Sequence, residues 1–575
     1  MFRRQFAGCL RCSRVAAAIG LSAGAVIAAS ILSFAQVPTD ETKSFLMSSD
    51  PPNAVFPAAS RLRPHEVQNR VRKPALATVK KDSVVTTLSG PPVALIPQGR
   101  TTSCDPVVIN SPGSATPRSL VDASPNLLPF FNNGPVFGLP GTKEEDFWHR
   151  TQLLGDPNCK RSDLARRGVF IDMYSTTAYQ HVTSGGLKIG NSYFQNTQLS
   201  INLDTERAGL WPGGLLHFTV QSRYGSSPDN SFTAGTFAAE YTGLYLPGPL
   251  FWQDTLPSEY FLMQAISEKF SVIAGKINGL FTADQTLIGD RFRYYFANSN
   301  FIKNPIYNNF FNTTSLAALG VWTPTPSLII AGGVHDPHSE PNNFAAHAFE
   351  NGDVDLYVQP IVTYKVGTLP GQIVPAFNWS NEPKIDLESP FGQLSPAEIP
   401  QAVNALLGNV SPDGLPTNFR KDSSFVLANF SQYLFVKEED PAEIDEKLRT
   451  GQPLRGIGVF GRFGQAGPEA LNMVNQAASA ALLARGLFGR RQYDSFGMGF
   501  YYNGISKDLK NSVSQLTDGT TVKNENGLEI FYDFAITPAI NINVGYQHIW
   551  NPLTASVTLN RNHADLFLAR LNLVF

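Results

Sequence analysis

HADLFLARLNLVF (His563–Phe575) forms the last thirteen residues of the sequence and has a period of two. Ala569, Leu571, Leu573 and Phe575 fall on one side, and Arg570 and Asn572 on the other. A strand with hydrocarbon on one face and water on the other requires this alternation, whereas a helix would repeat its apolar positions every three or four residues.

The pattern recurs upstream. QNTQLSINLD (Gln195–Asp204) sets Leu199, Ile201 and Leu203 against Gln198, Ser200, Asn202 and Asp204. Leu216, Phe218 and Val220 oppose His217, Thr219, Gln221 and Arg223. Similar segments, separated by turn residues, begin at Val169 and give about fifteen strands, with about 16 as the even completion expected of a closed antiparallel barrel. Turns such as Ser267–Lys269 and Thr323–Pro326 are short, while 225–259 and 278–314 are long. One stretch departs from the pattern: Pro468–Leu487, rich in Ala and Leu, reads as a loop helix.

Composition agrees with a barrel. Only 16% of the 575 residues are charged, aromatics reach 11%, and mean hydropathy is −0.11. After the amino-terminal apolar run, no second stretch of about 18 apolar residues occurs, which excludes a helical membrane bundle. In a barrel half of each strand is polar, so hydropathy averages out. A terminal strand finishing on Phe575 also resembles the carboxy-terminal signal of bacterial outer-membrane barrels.

The amino terminus points to export. Arg3, Arg4, Arg11 and Arg14 lead into the apolar run Val15–Phe34, and Ser33-Phe34-Ala35 suits cleavage before Gln36. A transmembrane anchor is the competing reading. Removing residues 1–35 leaves 41 basic against 47 acidic side chains, a balance that does not favour nucleic acid. Residues 36–140, crowded with Pro, Ser, Asn and Ala, read as a largely irregular periplasmic extension, and 141–575 as the barrel domain. The basic stretch Arg61–Lys81 is either a solvated tail or a contact for peptidoglycan or anionic lipid. Cys104 and Cys159, the pair left after cleavage, are expected to form a disulfide closing a loop of 55 residues, worth about 4 kcal/mol in the chain-entropy model. Two unpaired thiols are the alternative.

Several stretches together resemble the carbohydrate-selective porin family, the OprB-like outer-membrane porins. GLEIFYDFAITP (Gly527–Pro538) followed by ININVGYQHIWNP (Ile540–Pro552) is similar to the family's closing strands. FSVIAGK (Phe270–Lys276), TPTPSL (Thr323–Leu328) and GVHDP (Gly333–Pro337) resemble earlier strands and a hairpin in the same order. The likeness runs from about Leu154 to Phe575; the family's opening motif survives only as Gly155-Asp156-Pro157, and Leu553 stands where a Gly follows Asn-Pro.

The resemblance implies passive sugar diffusion across the bacterial outer membrane, with no cofactor. Its implied surroundings are membrane lipid and lipopolysaccharide, and its implied state is a monomer or homotrimer. Other solutes or ions, or a structural and adhesive barrel, are the alternative functions. A sugar is apolar on its ring faces and hydroxylated at its rim, so a selecting constriction should combine rings with hydrogen-bonding groups. The densest such cluster is DRFRYY, supplying Asp290, Arg291, Arg293, Tyr294 and Tyr295 from a long loop, with Gln221 and Arg223 on the predicted lumenal face of their strand. An exposed loop facing lipopolysaccharide is the other reading of the cluster. Trp211, Trp252, Trp322, Trp379 and Trp550 suit an interfacial girdle better than a sugar platform. His335-Asp336-Pro337-His338 lacks helical metal spacing, and no Gly-x-Ser-x-Gly or phosphate loop occurs, so no enzyme is expected.

Overall fold

The computed structural model describes residues 146–225, 234–237, 254–278, 286–289, 293–309, 314–338, 345, 348–349, 351–449, 453–489 and 491–575. The expected signal peptide, the irregular extension and Cys104 lie outside the described residues.

The strands, in chain order, are β1 (Val169–Gly185), β2 (Gly190–Asp204), β3 (Gly214–Gly225), β4 (Asp254–Ser267), β5 (Phe270–Asn278), β6 (Thr314–Thr325), β7 (Leu328–His335), β8 (Asp355–Val366), β9 (Leu369–Ser380), β10 (Lys384–Ile385), β11 (Phe419–Arg420), β12 (Ser423–Val436), β13 (Gly456–Gly467), β14 (Val474–Arg485), β15 (Ser495–Ile505), β16 (Glu525–Thr537), β17 (Ile540–Trp550) and β18 (His563–Val574). β10 and β11 make a two-stranded ribbon within one loop. The other sixteen close an antiparallel barrel in which each strand pairs with its sequence neighbour and β18 returns to β1.

The alternation seen in the sequence is the alternation of the walls. On β3, His217, Thr219, Gln221 and Arg223 are buried inward while Leu216 and Phe218 are exposed outward. On β18, Arg570 and Asn572 face in, and Phe567 and Leu571 face out. Trp211 and Trp322 stand exposed at one end and Trp550 at the other, as an aromatic girdle requires.

β14 corrects the expectation of a helix at Pro468–Leu487. The Ala-rich composition favours helix locally, but β13 and β15 each expose a row of backbone groups to this segment, and pairing from Gly456↔Arg485 to Gln465↔Gln476 satisfies one of them while Val474↔Ile505 to Arg485↔Ser495 satisfies the other. In a closed barrel an omitted strand leaves two open edges in hydrocarbon, a cost far larger than a propensity difference.

At the end of the barrel holding the short turns, the segment before β1 locks the seam. Helix α1 (Lys160–Arg166) starts over the buried Asp156 carboxylate, which accepts hydrogen bonds from the Arg161 and Ser162 amides at 2.7 and 3.0 Å. Arg161 Nη1 then donates to the Phe575 carbonyl at 3.1 Å, Leu153 N to the Val574 carbonyl at 2.7 Å, and Phe575 N to the Met173 carbonyl at 2.9 Å. Deleting Phe575 removes one rung of the β1–β18 seam and the carbonyl that Arg161 holds. The heat-modifiable, folded fraction in the outer membrane should fall, with export across the inner membrane unaffected; an unchanged folded yield would show that the terminal residue is dispensable for assembly.

At the opposite end, four further helices are not all found: α2 (Ile399–Leu406), α4 (Lys507–Leu516) and α5 (Leu553–Leu559) sit there, whereas α3 (Pro441–Arg449) lies in a turn at the seam end. Leu406, Leu509, Val513 and Leu553 bury one apolar cluster between the long loops. Glu525, at the start of β16, accepts from Phe237 N at 2.8 Å and Leu553 N at 3.0 Å, tying two of those loops to the wall.

Candidate constriction site

The loop between β5 and β6 turns into the barrel. Phe296, Phe301, Ile306 and Tyr307 on it are fully buried, and the Phe296 ring lies 4.6 Å from Phe301 and 4.9 Å from Phe531 of β16, centroid to centroid. Room for these rings is made by small residues on the inner faces of β13, β14 and β15. A Cβ at Gly499 would come 2.5 Å from the Phe301 ring, and one at Gly464 would come 2.5 Å from the Asn304 amide. Ala481 of β14 packs in the same cluster. One of the alanines that make β14 look helical, Ala481, is part of the floor of this recess.

Polar straps fix the loop backbone across the barrel. Glu529 on β16 accepts from Ala297 N at 2.7 Å and Asn298 N at 2.8 Å through its two carboxyl oxygens. Arg462 Nη1 on β13 donates to the Phe301 carbonyl at 2.6 Å. Asn543 on β17 donates to the Tyr294 carbonyl at 2.8 Å, Asn572 on β18 to the Arg293 carbonyl at 2.5 Å, and Arg570 Nη2 to the Tyr295 carbonyl. Backbone buried without sheet partners needs such donors and acceptors, and the inner wall provides them from four different strands.

Three residues singled out in the sequence converge. Arg293 donates to Thr176 Oγ1 at 3.2 Å and to Gln198 Oε1, with its guanidinium 4.9 Å from the centre of the Tyr174 ring. Gln198 stands directly opposite Gln221, and Asn196, opposite Thr176 on one side, stands opposite Arg223 on the other. Arg293, Gln221 and Arg223 therefore share one polar wall on β1–β3, although 70 residues separate Arg223 from Arg293 in sequence. Tyr295 sits elsewhere: its ring is buried 6.2 Å from Phe531, and it meets β18 through its carbonyl. Tyr294 is half-buried. Asp290 and Arg291 lie outside the described residues.

Glu529, Arg462, Asn543, Arg570 and Asn572 were not among the residues picked from sequence. The signal available was a charged or amide side chain at the inward parity of an otherwise apolar strand, as in LARLNL at Leu568–Leu573.

Near the long-loop mouth, Asp336, Asp353 and Glu382 gather with His338, Lys384 and Lys421. Lys421 Nζ lies 2.7 Å from Asp353 Oδ1, His338 Nδ1 3.4 Å from Asp336 Oδ1, and Lys384 Nζ 3.9 Å from Glu382 Oε2. The hydrogen bond to Asp336 holds the His338 ring above its usual pKa, and burial lowers the Lys384 ammonium. Among the described residues, no group of three His, Cys, Asp or Glu is placed to hold a metal ion.

A sixteen-stranded barrel with one long loop strapped across its lumen is the architecture of a channel with a constriction. The family model described as carbohydrate-selective porin, OprB family, matches residues 188–573. The chain belongs to the carbohydrate-selective porin family. No curated protein matches the chain. Among solved structures, the high-pH form of Pseudomonas putida OprB aligns with a TM-score of 0.59 at 15% identity, covering 75% of this chain and 100% of that one. The low-pH form of the same protein aligns with a TM-score of 0.44 at 12% identity, over 74% of this chain and 99% of that one.

This porin is thus a sugar-selective channel on the barrel fold its sequence periodicity implied. Its fold and family are typical of channels that perform no chemistry on their solute. What the arrangement does is physical: a water-filled path lowers the cost of carrying a polar solute past hydrocarbon, and fixed groups at a narrow point choose among solutes.

Proposed function

We propose that this porin passes mono- or oligosaccharides passively across the outer membrane of a Gram-negative bacterium, selecting them at the wall formed by Arg223, Gln221 and Arg293. The loop strapped across the lumen carries this reading. It narrows the path to a place where guanidinium and amide groups stand together, and those donors suit ring hydroxyls. Asp290, Arg291 and Tyr294 are the further candidates for this selection, whereas the buried Tyr295 ring is not one. The loop-rich end faces outward toward lipopolysaccharide and the seam end faces the periplasm, and the basic stretch Arg61–Lys81 is either a solvated tail or a contact for peptidoglycan or anionic lipid. Each barrel conducts by itself, as a monomer or as one of three.

The test is reconstitution of the full mature protein in planar bilayers. Open-channel conductance that glucose or maltose reduces in a saturable way is the expected result. Conductance indifferent to sugar would favour a channel for other solutes, and absence of conductance a structural barrel.

Cys159 is disulfide-bonded. We propose Cys104 as its partner. Non-reducing peptide mapping should recover the linked pair; free thiols at both positions in protein purified without reductant would refute it.

A further inference from the structure

The exposed rim where β1, β2 and β18 meet, at the loop-rich end, carries cations that a channel has no use for. The turn between β1 and β2 lies against the start of β18: Gly186 N donates to the His563 carbonyl at 2.8 Å, and the left-handed Gly185 leaves no room there for a Cβ. Arg561 grips that turn, its Nη1 donating to the Gly186 carbonyl at 2.8 Å and to the Leu187 carbonyl at 3.3 Å. This fixes the guanidinium on the turn that carries Lys188, and both residues are exposed. Among the described residues, no carboxylate pairs with either cation. Asp565, on the outer face of β18, is engaged elsewhere: its carboxylate accepts from Ser184 Oγ at 2.5 Å and Tyr546 Oη at 2.7 Å, and meets His548 Nδ1 at 2.6 Å.

Trp550, directly opposite His563, marks the edge of the hydrocarbon on this side. On the outer wall next to it, Tyr546 stands opposite Phe567 and Tyr179 opposite Tyr193, and Tyr179, Tyr193 and Phe567 are exposed. Two cations without a counter-charge, set above an aromatic wall, fit an amphiphile with an anionic head. A guanidinium holds a phosphate through paired N–H donors, and an ammonium adds a point charge. The rings below accept acyl chains while their polar edges stay at the interface. A soluble anion would use the first feature only; a phosphorylated lipid uses both.

We propose that Arg561 and Lys188 bind the phosphate of an acylated, phosphorylated glucosamine lipid of the outer leaflet, the anchor of lipopolysaccharide, with its chains lying along Tyr179, Tyr193 and Phe567. The site is separate from the sugar path and rests only on the outward orientation of the loop-rich end.

The experiment titrates lipid A into the folded, detergent-solubilised full mature protein and into Lys188→Gln, Arg561→Gln and the double variant. Glutamine at 561 can still donate to the turn carbonyls, so folding is preserved. The dissociation constant should rise about fivefold for each charge removed, and dephosphorylated lipid A should bind parent and variants alike. Equal affinity of parent and double variant for the phosphorylated lipid overturns the site. So does full displacement by inorganic phosphate at a matching concentration, which would leave an anion site without lipid recognition. Orientation is read separately, since Lys188→Cys should react with a membrane-impermeant maleimide on intact cells. Labelling only after lysis overturns the outward orientation and the glycolipid assignment with it, whereas labelling of intact cells without any phosphate dependence of binding overturns the site alone.

Discussion

Channels carrying Glu529→Ala together with Arg462→Ala should conduct severalfold more current than the parent and lose most of their sugar block. Glu529 is the acceptor for the successive loop amides of Ala297 and Asn298, and Arg462 is the donor to the loop carbonyl of Phe301. Each of these bonds is worth about 1–3 kcal/mol, because losing it leaves a buried backbone group unsatisfied. The ring stack of Phe296, Phe301 and Phe531 still favours the inward loop, but the backbone between those rings loses its registration. The barrel itself is held by sixteen strand pairings, none of which uses these side chains, so the variant should remain heat-modifiable. Glu529→Gln keeps one acceptor oxygen in place and should fall between parent and alanine variant. Parental conductance in the double variant would mean that ring packing alone holds the loop, and the polar straps would then be incidental.

Removing positive charge from the β1–β3 wall should weaken sugar block and change ion selectivity with it. Alanine at Arg223 and Arg293 takes away repulsion of cations and donors for hydroxyls at one place, and Arg291, outside the described residues, is the third position of the triple variant. Cation preference in reversal-potential measurements should rise while the half-blocking sugar concentration increases about tenfold. The single variants separate two roles. Arg293 also bonds Thr176 and Gln198, so Arg293→Ala should loosen the loop and raise conductance in addition to shifting selectivity. Arg223 lies on β3 itself, and Arg223→Ala should shift selectivity with little change in conductance. Unaltered ion selectivity and sugar block in all three single variants and in the triple would place the selecting groups elsewhere on the wall.

Arg570 and Tyr295 mark the limit of what consecutive residues encode. Arg570 was legible as inward-facing because a strand turns successive side chains to opposite sides. Its partner was not, since the Tyr295 carbonyl it holds comes from a loop 275 residues earlier. Tyr295 looked like a sugar contact because aromatic and charged residues cluster around it, yet its ring is buried beside Phe531. Composition tells what a cluster is capable of binding, and packing decides which of its members face the channel. The same holds for β14, whose alanines favour a helix in isolation, while in the barrel Ala481 serves as the low ground beneath Phe301.

By itself the sequence determined the walls. A period of two, repeated from Val169 to Phe575 with apolar residues on a single face, allows little but an antiparallel sheet with lipid outside, and the absence of any tolerable edge in hydrocarbon forces that sheet to close. It also determined that Gln221, Arg223, Arg570 and Asn572 would point inward. Only the tertiary structure decided where the loop between β5 and β6 goes, which strands receive it, and that Arg293 meets Thr176 and Gln198. Strand periodicity is local and is written in consecutive residues, whereas the seating of a loop in a lumen depends on matching small residues to rings and donors to carbonyls across strands far apart in the chain.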